Sequence, residues 1–327
     1  MTEHETRTIG KYTLLERIGA GAMGTVYRAR DTEGREVAVK VLNEEPAASE
    51  EFIRRFLREI VTLAGLNHPN LVRYIDADTD GQSLFYAMEF VAGRSLGDLV
   101  AAGAVFREEQ VVDIAGQLAA VLGYAEREKV VHRDVKPDNI IIEDATGSVK
   151  LLDLGLARET HTALKKVTRG IKAIGTADYM SPEQARGEDD IDIRADIYGM
   201  GATLYHLVAG APPHEGRTEV EVMLKIVSEE VPPLHERAPG VSRNLACIIG
   251  KMLRLKRDRR YQRPADVQRD LTLLKERRFV PPEDAVRERR QVQRGRRRRT
   301  TVIITLLVWT IIVLLGLVAL VLFWKWR

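Results

Sequence analysis

The nine residues VHRDVKPDN, from Val131 to Asn139, place an acid, a base and an amide at short, fixed spacings. Apolar runs flank them at 130–131 and 140–142, which predicts a loop held between buried segments. Asp134 can accept a proton from a hydroxyl group, Asn139 can offer its carbonyl oxygen to Mg²⁺, and Lys136 can neutralise charge on a phosphoryl group. The alternative is an Asx-rich turn before a strand, which is common. Because three such groups stand together, the stretch is predicted to be a catalytic loop.

This stretch resembles the catalytic loop of protein kinases, which follows the pattern His-Arg-Asp-x-Lys-Pro-x-Asn. Six of its nine residues fit that pattern with matching spacing. The resemblance implies that Asp134 orients the acceptor hydroxyl and that Lys136 acts beside it. It also implies ATP as the phosphoryl donor, with Mg²⁺ or Mn²⁺ as its metal ion. Other kinase motifs should then occur before and after the loop.

A glycine-rich segment near the N-terminus provides the first of these motifs. The sequence predicts a strand over Tyr12–Ile18, three glycines within Gly19–Gly24, and a second strand over Thr25–Ala29. Glycines at this spacing let a backbone approach phosphate oxygens closely. A dinucleotide-binding unit would need a helix directly after the glycines. Because a strand-like sequence follows instead, the hairpin is similar to the glycine-rich loop of kinases.

Lys40 lies within the apolar strand predicted over Glu36–Leu42, where a charged group needs a partner. One interpretation is an edge lysine whose side chain reaches water. The resemblance implies instead that Lys40 binds the α- and β-phosphates of ATP and pairs with an acid on the next helix. That helix is predicted over Ser49–Ala64, and Glu59 lies on its apolar stripe. Glu51, nearer the start of the helix, is the alternative acid.

Two further strands, Leu71–Ala77 and Leu84–Phe90, are predicted to complete a small lobe of five strands and one helix. The resemblance implies that Met88 backs the adenine pocket and that backbone groups of Glu89 to Val91 bind the adenine edge. The full set of ATP-binding residues that it implies is Ile18, Gly19, Ala20, Gly21, Ala22, Met23, Gly24, Val26, Ala38, Lys40, Met88, Glu89, Val91 and Ile141.

The second half of the chain predicts a larger, mostly helical lobe. Apolar residues at helical spacing predict helices over Glu108–Glu128, Asp192–Ala209, Glu219–Val227, Ser242–Leu253 and Ala265–Arg278. Asp153-Leu154-Gly155 resembles the Asp-Phe-Gly motif, with leucine in place of phenylalanine. The resemblance implies that Asp153 and Asn139 are the two metal ligands. It also implies that Asp196 binds the backbone of the catalytic loop.

A polar segment, 158–174, separates Asp153 from a sequence similar to the end of a kinase activation loop, Gly175–Glu183. Its candidate phosphorylation sites are Thr168, Thr162 and Thr160. In kinases the acid at Glu183 pairs with a downstream arginine. Arg260 is the first choice for this arginine, and Arg263 is the alternative.

The charges of the chain are unevenly distributed. Ten arginines and three acids occur between Arg277 and Arg299, so the rest of the chain is net negative although the total is +3. A negative globular region disfavours binding of nucleic acid. The single cysteine, Cys247, excludes an intramolecular disulfide. The N-terminus has no apolar stretch of the kind found in secretory signals.

The C-terminal segment 300–323 contains no charged residue. As a helix it would span about 36 Å, more than the ~30 Å hydrocarbon core of a bilayer. A buried core helix is the alternative, but the segment is apolar all round and follows a linker. The arginines before it predict that the preceding domain stays on the cytoplasmic side. They are also expected to contact anionic lipid rather than nucleic acid.

Together these features predict an α+β protein with the two-lobed protein kinase fold and one C-terminal transmembrane helix. The predicted divisions are a disordered N-terminus at 1–9, a kinase domain at 10–278, a basic linker at 279–299, the membrane span at 300–323 and a short far-side tail at 324–327. The segment Gly175–Gly187 resembles that of the serine/threonine kinases of bacteria. The resemblance also implies that Lys136 and Thr176 favour serine and threonine over tyrosine as acceptors. The resemblance implies protein substrates and a homodimer for trans-autophosphorylation as partners, and the apolar segment 300–323 predicts the lipid bilayer as another. The alternative is a membrane-tethered pseudokinase that serves as a scaffold.

Overall fold

The computed structural model of the chain describes residues 7–21, 24–42, 60, 63–81, 83–152 and 177–281. Residues 1–279 form one unit and 280–327 form a second. Several residues with a predicted function lie outside the described ranges, namely Ala22, Met23, Glu59, Asp153, Thr160, Thr162, Thr168 and the segment 300–323. The rest of the predicted site lies within the described residues.

The small lobe contains an antiparallel sheet in the order β1-β2-β3-β4-β6-β5. Its strands are β1 Thr8–Ile9, β2 Tyr12–Gly21, β3 Gly24–Arg30, β4 Glu36–Leu42, β5 Tyr74–Asp80 and β6 Ser83–Glu89. β4 begins and ends where the sequence predicted, because its alternating valines mark both ends of the strand. β5 begins three residues later than predicted and continues to Asp80. Residues 78–80, which lie between the two predicted strands, therefore belong to β5.

The described part of the N-terminus is ordered, so the prediction of a disordered segment at 1–9 is wrong for its last residues. Thr8 and Ile9 pair with Thr13 and Tyr12. Ile9 is 6% exposed and joins the core cluster that contains Tyr12 and Phe85. Burial of this apolar side chain provides the free energy that orders the segment.

The strands of the glycine-rich hairpin extend further than predicted. β2 runs through Gly21 and β3 begins at Gly24, so the ladder continues into the segment assigned to the loop. Gly24 is required here by close packing, because a Cβ atom at this position would lie 2.2 Å from the carbonyl oxygen of Val41. Glycine thus allows β3 and β4 to approach at the end of the hairpin.

The register of the sheet separates its two faces. Val37 and Val39 of β4 point into an apolar cluster with Ala29 and Ala87. Since side chains alternate along a strand, Ala38 and Lys40 belong to the opposite face. Residues directly opposite one another share a face, which adds three neighbours to it. These are Val26 and Tyr86 opposite Lys40, and Met88 opposite Ala38.

The large lobe combines a small sheet, β7-β8-β9, with helices. Its strands are β7 Gly93–Ser95, β8 Ile140–Glu143 and β9 Val149–Leu151. Its α-helices are α1 Leu96–Ala101, α2 Glu108–Arg127, α3 Pro182–Ala185, α4 Ile193–Ala209, α5 Glu219–Ser228, α6 Leu234–Arg237, α7 Arg243–Met252 and α8 Pro264–Lys275. The predicted stripe of α2, which includes Val111, Leu118 and Leu122, is fully buried. Asp192 and Ser242, predicted as first residues of helices, are N-caps.

Among the described residues, no helix has both the length and the apolar character needed to cross a bilayer. The segment predicted to do so, 300–323, lies outside those residues. Of the second unit the structure describes Val280 and Pro281.

Candidate active site

The catalytic loop connects α2 with β8 and is held by hydrogen bonds to α4. Asp196, in the first turn of α4, is buried and accepts hydrogen bonds from the backbone N–H groups of His132 (2.8 Å) and Arg133 (2.7 Å). Burial raises the pKa of the Asp196 carboxyl, and the nearby His132 and these N–H donors act in the opposite direction. The predicted role of Asp196 in holding the loop backbone is confirmed.

Arg133 adopts a positive φ of 68°, which is uncommon for a residue with a side chain. Two contacts hold it there. Its N–H donates to Asp196, and its carbonyl oxygen accepts from Nε2 of Gln184 at 2.7 Å. Gln184 lies in the short helix α3, where it also completes a capping box with Ser181. The conformation directly before Asp134 is therefore determined by two residues distant in sequence.

Close packing beneath the loop requires a glycine in α4. A Cβ atom at Gly199 would lie 2.8 Å from the carbonyl oxygen of Val135. The absence of a side chain thus lets α4 lie directly under the catalytic loop.

The carboxylate of Asp134 is oriented by the two other functional groups of the loop. Its Oδ2 lies 2.8 Å from Nζ of Lys136 and accepts from Nδ2 of Asn139 at 2.9 Å. Nδ2 of Asn139 also donates to the Asp134 carbonyl oxygen at 2.8 Å. All three side chains are partly buried, so these contacts are shielded from solvent. The structure therefore brings together the acid, base and amide that the sequence singled out.

The catalytic loop is tied to the strand that leads to Asp153. His132 is fully buried, and its Nε2 donates to the carbonyl oxygen of Leu152 at 2.6 Å while Nδ1 accepts from the N–H of Asp134. The N–H of Leu152 donates to the carbonyl oxygen of Asn139 at 2.8 Å. Leu152 is the last described residue before Asp153. At Leu152, one residue before Asp153, the described backbone thus lies beside Asn139.

The donor atoms at this place fit a magnesium ion. The amide nitrogen of Asn139 donates to Asp134, so its carbonyl oxygen is the side-chain atom that could coordinate a cation. Oxygen ligands from carboxylate and amide groups are those that Mg²⁺ prefers. Among the described residues no three Asp, Glu, His or Cys side chains form a separate metal site.

Four of the predicted nucleotide-binding residues of the small lobe lie on one face of its sheet. Val26, Ala38, Lys40 and Met88 share this face by register. Nζ of Lys40 lies 5.7 Å from the centroid of the Tyr86 ring. Ile18, Gly19, Ala20 and Gly21 belong to β2, and Ile18 is 46% exposed. The predicted pairing of Lys40 with Glu59 concerns a residue outside the described ranges.

The segment predicted to bind the adenine edge begins in β6. The N–H of Glu89 donates to the carbonyl oxygen of Arg73 at 2.9 Å, so a backbone contact from Glu89 to a ligand would come from its carbonyl group. Met88 and Val91 are buried. Ile141 lies on β8 opposite Lys150 of β9. The predicted adenine-binding residues thus come from β6, from the segment after it and from β8 of the large lobe.

The acid that follows the activation segment is paired as predicted. Nη1 and Nη2 of Arg260 donate to the two carboxylate oxygens of Glu183 at 2.6 and 2.7 Å, and both side chains are buried. The alternative partner, Arg263, is exposed and binds Glu126 instead.

Sequence reasoning assigned no role to Gln184 or Lys150. Gln184 stands three residues after Ser181, and this S-x-x-Q capping pattern was the available signal for its local structure. Its bond to Arg133, like the contact of Lys150 with Glu89, joins residues more than fifty positions apart. Neither contact could be found from local spacing.

Replacing Asp196 by asparagine is expected to lower kcat by about a hundredfold with the fold retained. An amide offers one acceptor oxygen where the carboxylate receives two N–H groups, so the loop should shift, and a displacement of about 1 Å can cost that much. Steady-state kinetics with circular dichroism measures it. The control is Asp192→Asn at the start of the same helix, which preserves the N-cap and should have little effect. Unchanged kcat in Asp196→Asn would contradict the role of this carboxylate.

Known proteins share much of this sequence. The family model for the protein kinase domain matches residues 12–270. The chain is 39% identical over 266 residues to the serine/threonine-protein kinase PknB of Mycobacterium leprae, which covers 80% of this chain and 42% of PknB. It is 34% identical over 285 residues to the serine/threonine-protein kinase PrkC of Bacillus subtilis, covering 85% of this chain and 43% of PrkC. The chain thus matches about two fifths of the length of these relatives.

Solved structures agree with these matches. The crystal structure of the Mycobacterium tuberculosis PknI kinase domain is similar with a TM-score of 0.65 at 28% identity, covering 83% of this chain and 99% of that one. Rad53 in complex with AMP-PNP is similar with a TM-score of 0.66 at 28% identity, covering 79% and 64%.

Proposed function

The chain belongs to the protein kinase family and carries a serine/threonine kinase domain, and we propose that the whole protein uses it at the inner face of the cytoplasmic membrane. There it transfers the γ-phosphoryl group of ATP to serine and threonine hydroxyls of protein substrates. The observation that carries this proposal is the arrangement of Asp134, Lys136 and Asn139 on a loop anchored by Asp196. The nucleotide complex of the similar Rad53 supports ATP as the donor.

The proposed mechanism assigns one task to each group of the loop. Asp134 accepts a hydrogen bond from the acceptor hydroxyl and orients it toward the γ-phosphorus. Lys136, 2.8 Å from Asp134, reduces the negative charge of the transferred group. Lys40 binds the α- and β-phosphates and pairs with Glu59. Asn139 and Asp153 would hold the Mg²⁺ ion, which when bound neutralises charge on the phosphates.

The test of this function is phosphorylation by the purified full-length chain. With radiolabelled ATP, Mg²⁺ and a generic protein substrate, we expect phosphoserine and phosphothreonine, and phosphate on the chain itself at Thr168, Thr162 or Thr160. Arg133 supports the latter, because an arginine next to the catalytic acid commonly pairs with a loop phosphate. Mass spectrometry locates the phosphate. A wild-type chain that transfers no phosphate while it is folded and binds ATP would favour the pseudokinase scaffold.

Membrane attachment is proposed from the sequence of the C-terminal segment. Deletion of 300–327 is expected to release a soluble kinase with the kcat of the full chain once its loop is phosphorylated. Concentration on a membrane makes encounters between neighbouring kinases more frequent, so the truncated form should need a higher bulk concentration to phosphorylate its loop. Cell fractionation and kinase assays at matched phosphorylation measure both effects. A truncated chain that remains in the membrane fraction would contradict the anchor.

A further inference from the structure

Glu89 and Lys150 form an ion pair. Glu89 begins the segment that connects the two lobes, and Lys150 lies in the sheet of the large lobe. Oε1 of Glu89, the last residue of β6, lies 2.7 Å from Nζ of Lys150 in β9. The side chains are 30% and 14% exposed, respectively, so water screens this pair less than a surface pair. It connects elements that are otherwise 61 residues apart in sequence.

The position of Lys150 within β9 directs its side chain toward the predicted nucleotide site. Val149 and Leu151 on either side are fully buried in the large lobe. Because side chains alternate, Lys150 lies on the opposite face of the strand. Its partner in the ladder is Ile141, one of the predicted ATP-binding residues. Lys150 therefore lies on the same face of the sheet as Ile141, and its side chain reaches Glu89.

The carboxylate of Glu89 also braces the chain that enters β5. Oε2 accepts from the N–H of Arg73 at 3.3 Å, and the N–H of Glu89 donates to the carbonyl oxygen of Arg73. The same stretch is bound to β9, since the N–H of Val72 donates to the carbonyl oxygen of Leu151 at 3.0 Å. Glu89 thus lies where the entry to β5, the exit of β6 and strand β9 converge.

We propose that Lys150 is a positioning residue for the adenine nucleotide. By holding Glu89 it fixes the backbone from Glu89 to Val91 in the conformation that receives adenine. This inference rests on the proposed kinase function. A segment fixed before binding loses less conformational freedom when the ligand arrives, so the ion pair should strengthen binding of ATP. Nζ of Lys150 binds Glu89, whereas the carboxylate of Asp134 is held by Lys136 and Asn139. The rate of phosphoryl transfer from bound ATP should therefore not depend on Lys150.

The test compares four variants of the full-length chain with the wild type. Lys150→Met keeps the length of the side chain and removes its charge, Lys150→Arg keeps the charge, and Glu89→Lys with Lys150→Glu reverses the pair. Lys275→Met is the matched control, because it removes a lysine–aspartate pair of 2.6 Å between α8 and α2. Titration with a fluorescent ATP analogue gives Kd, steady-state kinetics gives KM for ATP and kcat, and thermal denaturation gives Tm.

For Lys150→Met we expect Kd and KM for ATP to rise on the order of tenfold, while kcat changes less than about twofold. Lys150→Arg and the reversed pair should retain or recover most of the affinity, and Lys275→Met should leave it unchanged. An unchanged Kd in Lys150→Met, or a lower Tm alone, would show a merely structural pair and overturn the inference. If Lys150→Met does not fold, loss of affinity in both folded Lys150→Arg and the reversed pair overturns it. A folded wild type that binds no ATP would instead remove the proposed function itself.

Discussion

Replacing Asp134 by asparagine is expected to lower kcat by about 10²- to 10⁴-fold, the range typical of a lost general base. The substitution keeps the size and the polar contacts of the side chain but removes its charge and its ability to accept a proton. Lys136 and Asn139, which both contact Oδ2, would then hold an amide in the same place. KM for ATP should change little, because the predicted nucleotide-binding residues belong to other elements. Steady-state kinetics on the full-length chain measures both constants.

The matched control lies four residues further along the same loop. Asp138→Asn makes the same chemical change at an exposed position, and it should leave kcat within about twofold of the wild type. If Asp138→Asn reduced kcat as strongly as Asp134→Asn, the effect would reflect the net charge of the loop. If Asp134→Asn retained full activity with an unchanged fold, its assignment as the residue that orients the hydroxyl would be wrong.

The sequence predicted those parts of the fold that are determined by local pattern. β4 was predicted with its observed ends, because alternation of valines with small or charged residues is a local signal of a half-buried strand. α2 was predicted to within one residue, since its apolar stripe continues for its whole length. The roles of Asp196 and Glu183 followed from resemblance and are confirmed as contacts, although spacing alone would not have found them.

The parts that the sequence did not predict depend on tertiary packing. Ile9 pairs with nearby Tyr12, but its burial also involves Phe85 of β6, which is distant in sequence. The hairpin continues to Gly21 because β3 pairs with Gly19, Ala20 and Gly21, the residues that suggested a loop. The contact between Gln184 and Arg133 joins two motifs that were each recognised separately. Such contacts require the fold to be known before they can be seen.

The partner of Glu183 is a further contact that the sequence alone does not determine. Arg260 and Arg263 are three residues apart in a strongly basic stretch, so composition does not distinguish them. Packing does, because the Arg260 side chain is fully buried and that of Arg263 is 63% exposed. All five N–H donors of Arg260 are used: two bind Glu183 and the others bind backbone carbonyl oxygens. The guanidinium also lies 4.9 Å from the centroid of the Tyr198 ring.

Arg260→Met is therefore expected to lower the free energy of unfolding by about 3–5 kcal/mol, since it leaves the Glu183 carboxylate buried without its cation. Activity should fall as well, because Glu183 precedes Gln184, whose side chain holds the carbonyl oxygen of Arg133 before Asp134. Urea denaturation followed by fluorescence measures the stability, and kcat at low temperature measures activity in the fraction that remains folded.

Arg263→Met is the matched control for this prediction. It makes the same substitution three residues away, where the arginine pairs with Glu126 at an exposed position, and it should change stability by less than about 1 kcal/mol. Adding Glu183→Gln to Arg260→Met should recover part of the lost stability, because a buried amide costs less than a buried unpaired charge. If Arg260→Met and Arg263→Met were equally stable, the buried pair would not be a main contributor to the stability of the fold. If Glu183→Gln failed to improve Arg260→Met, the loss would come from the missing backbone contacts of the guanidinium rather than from the stranded carboxylate.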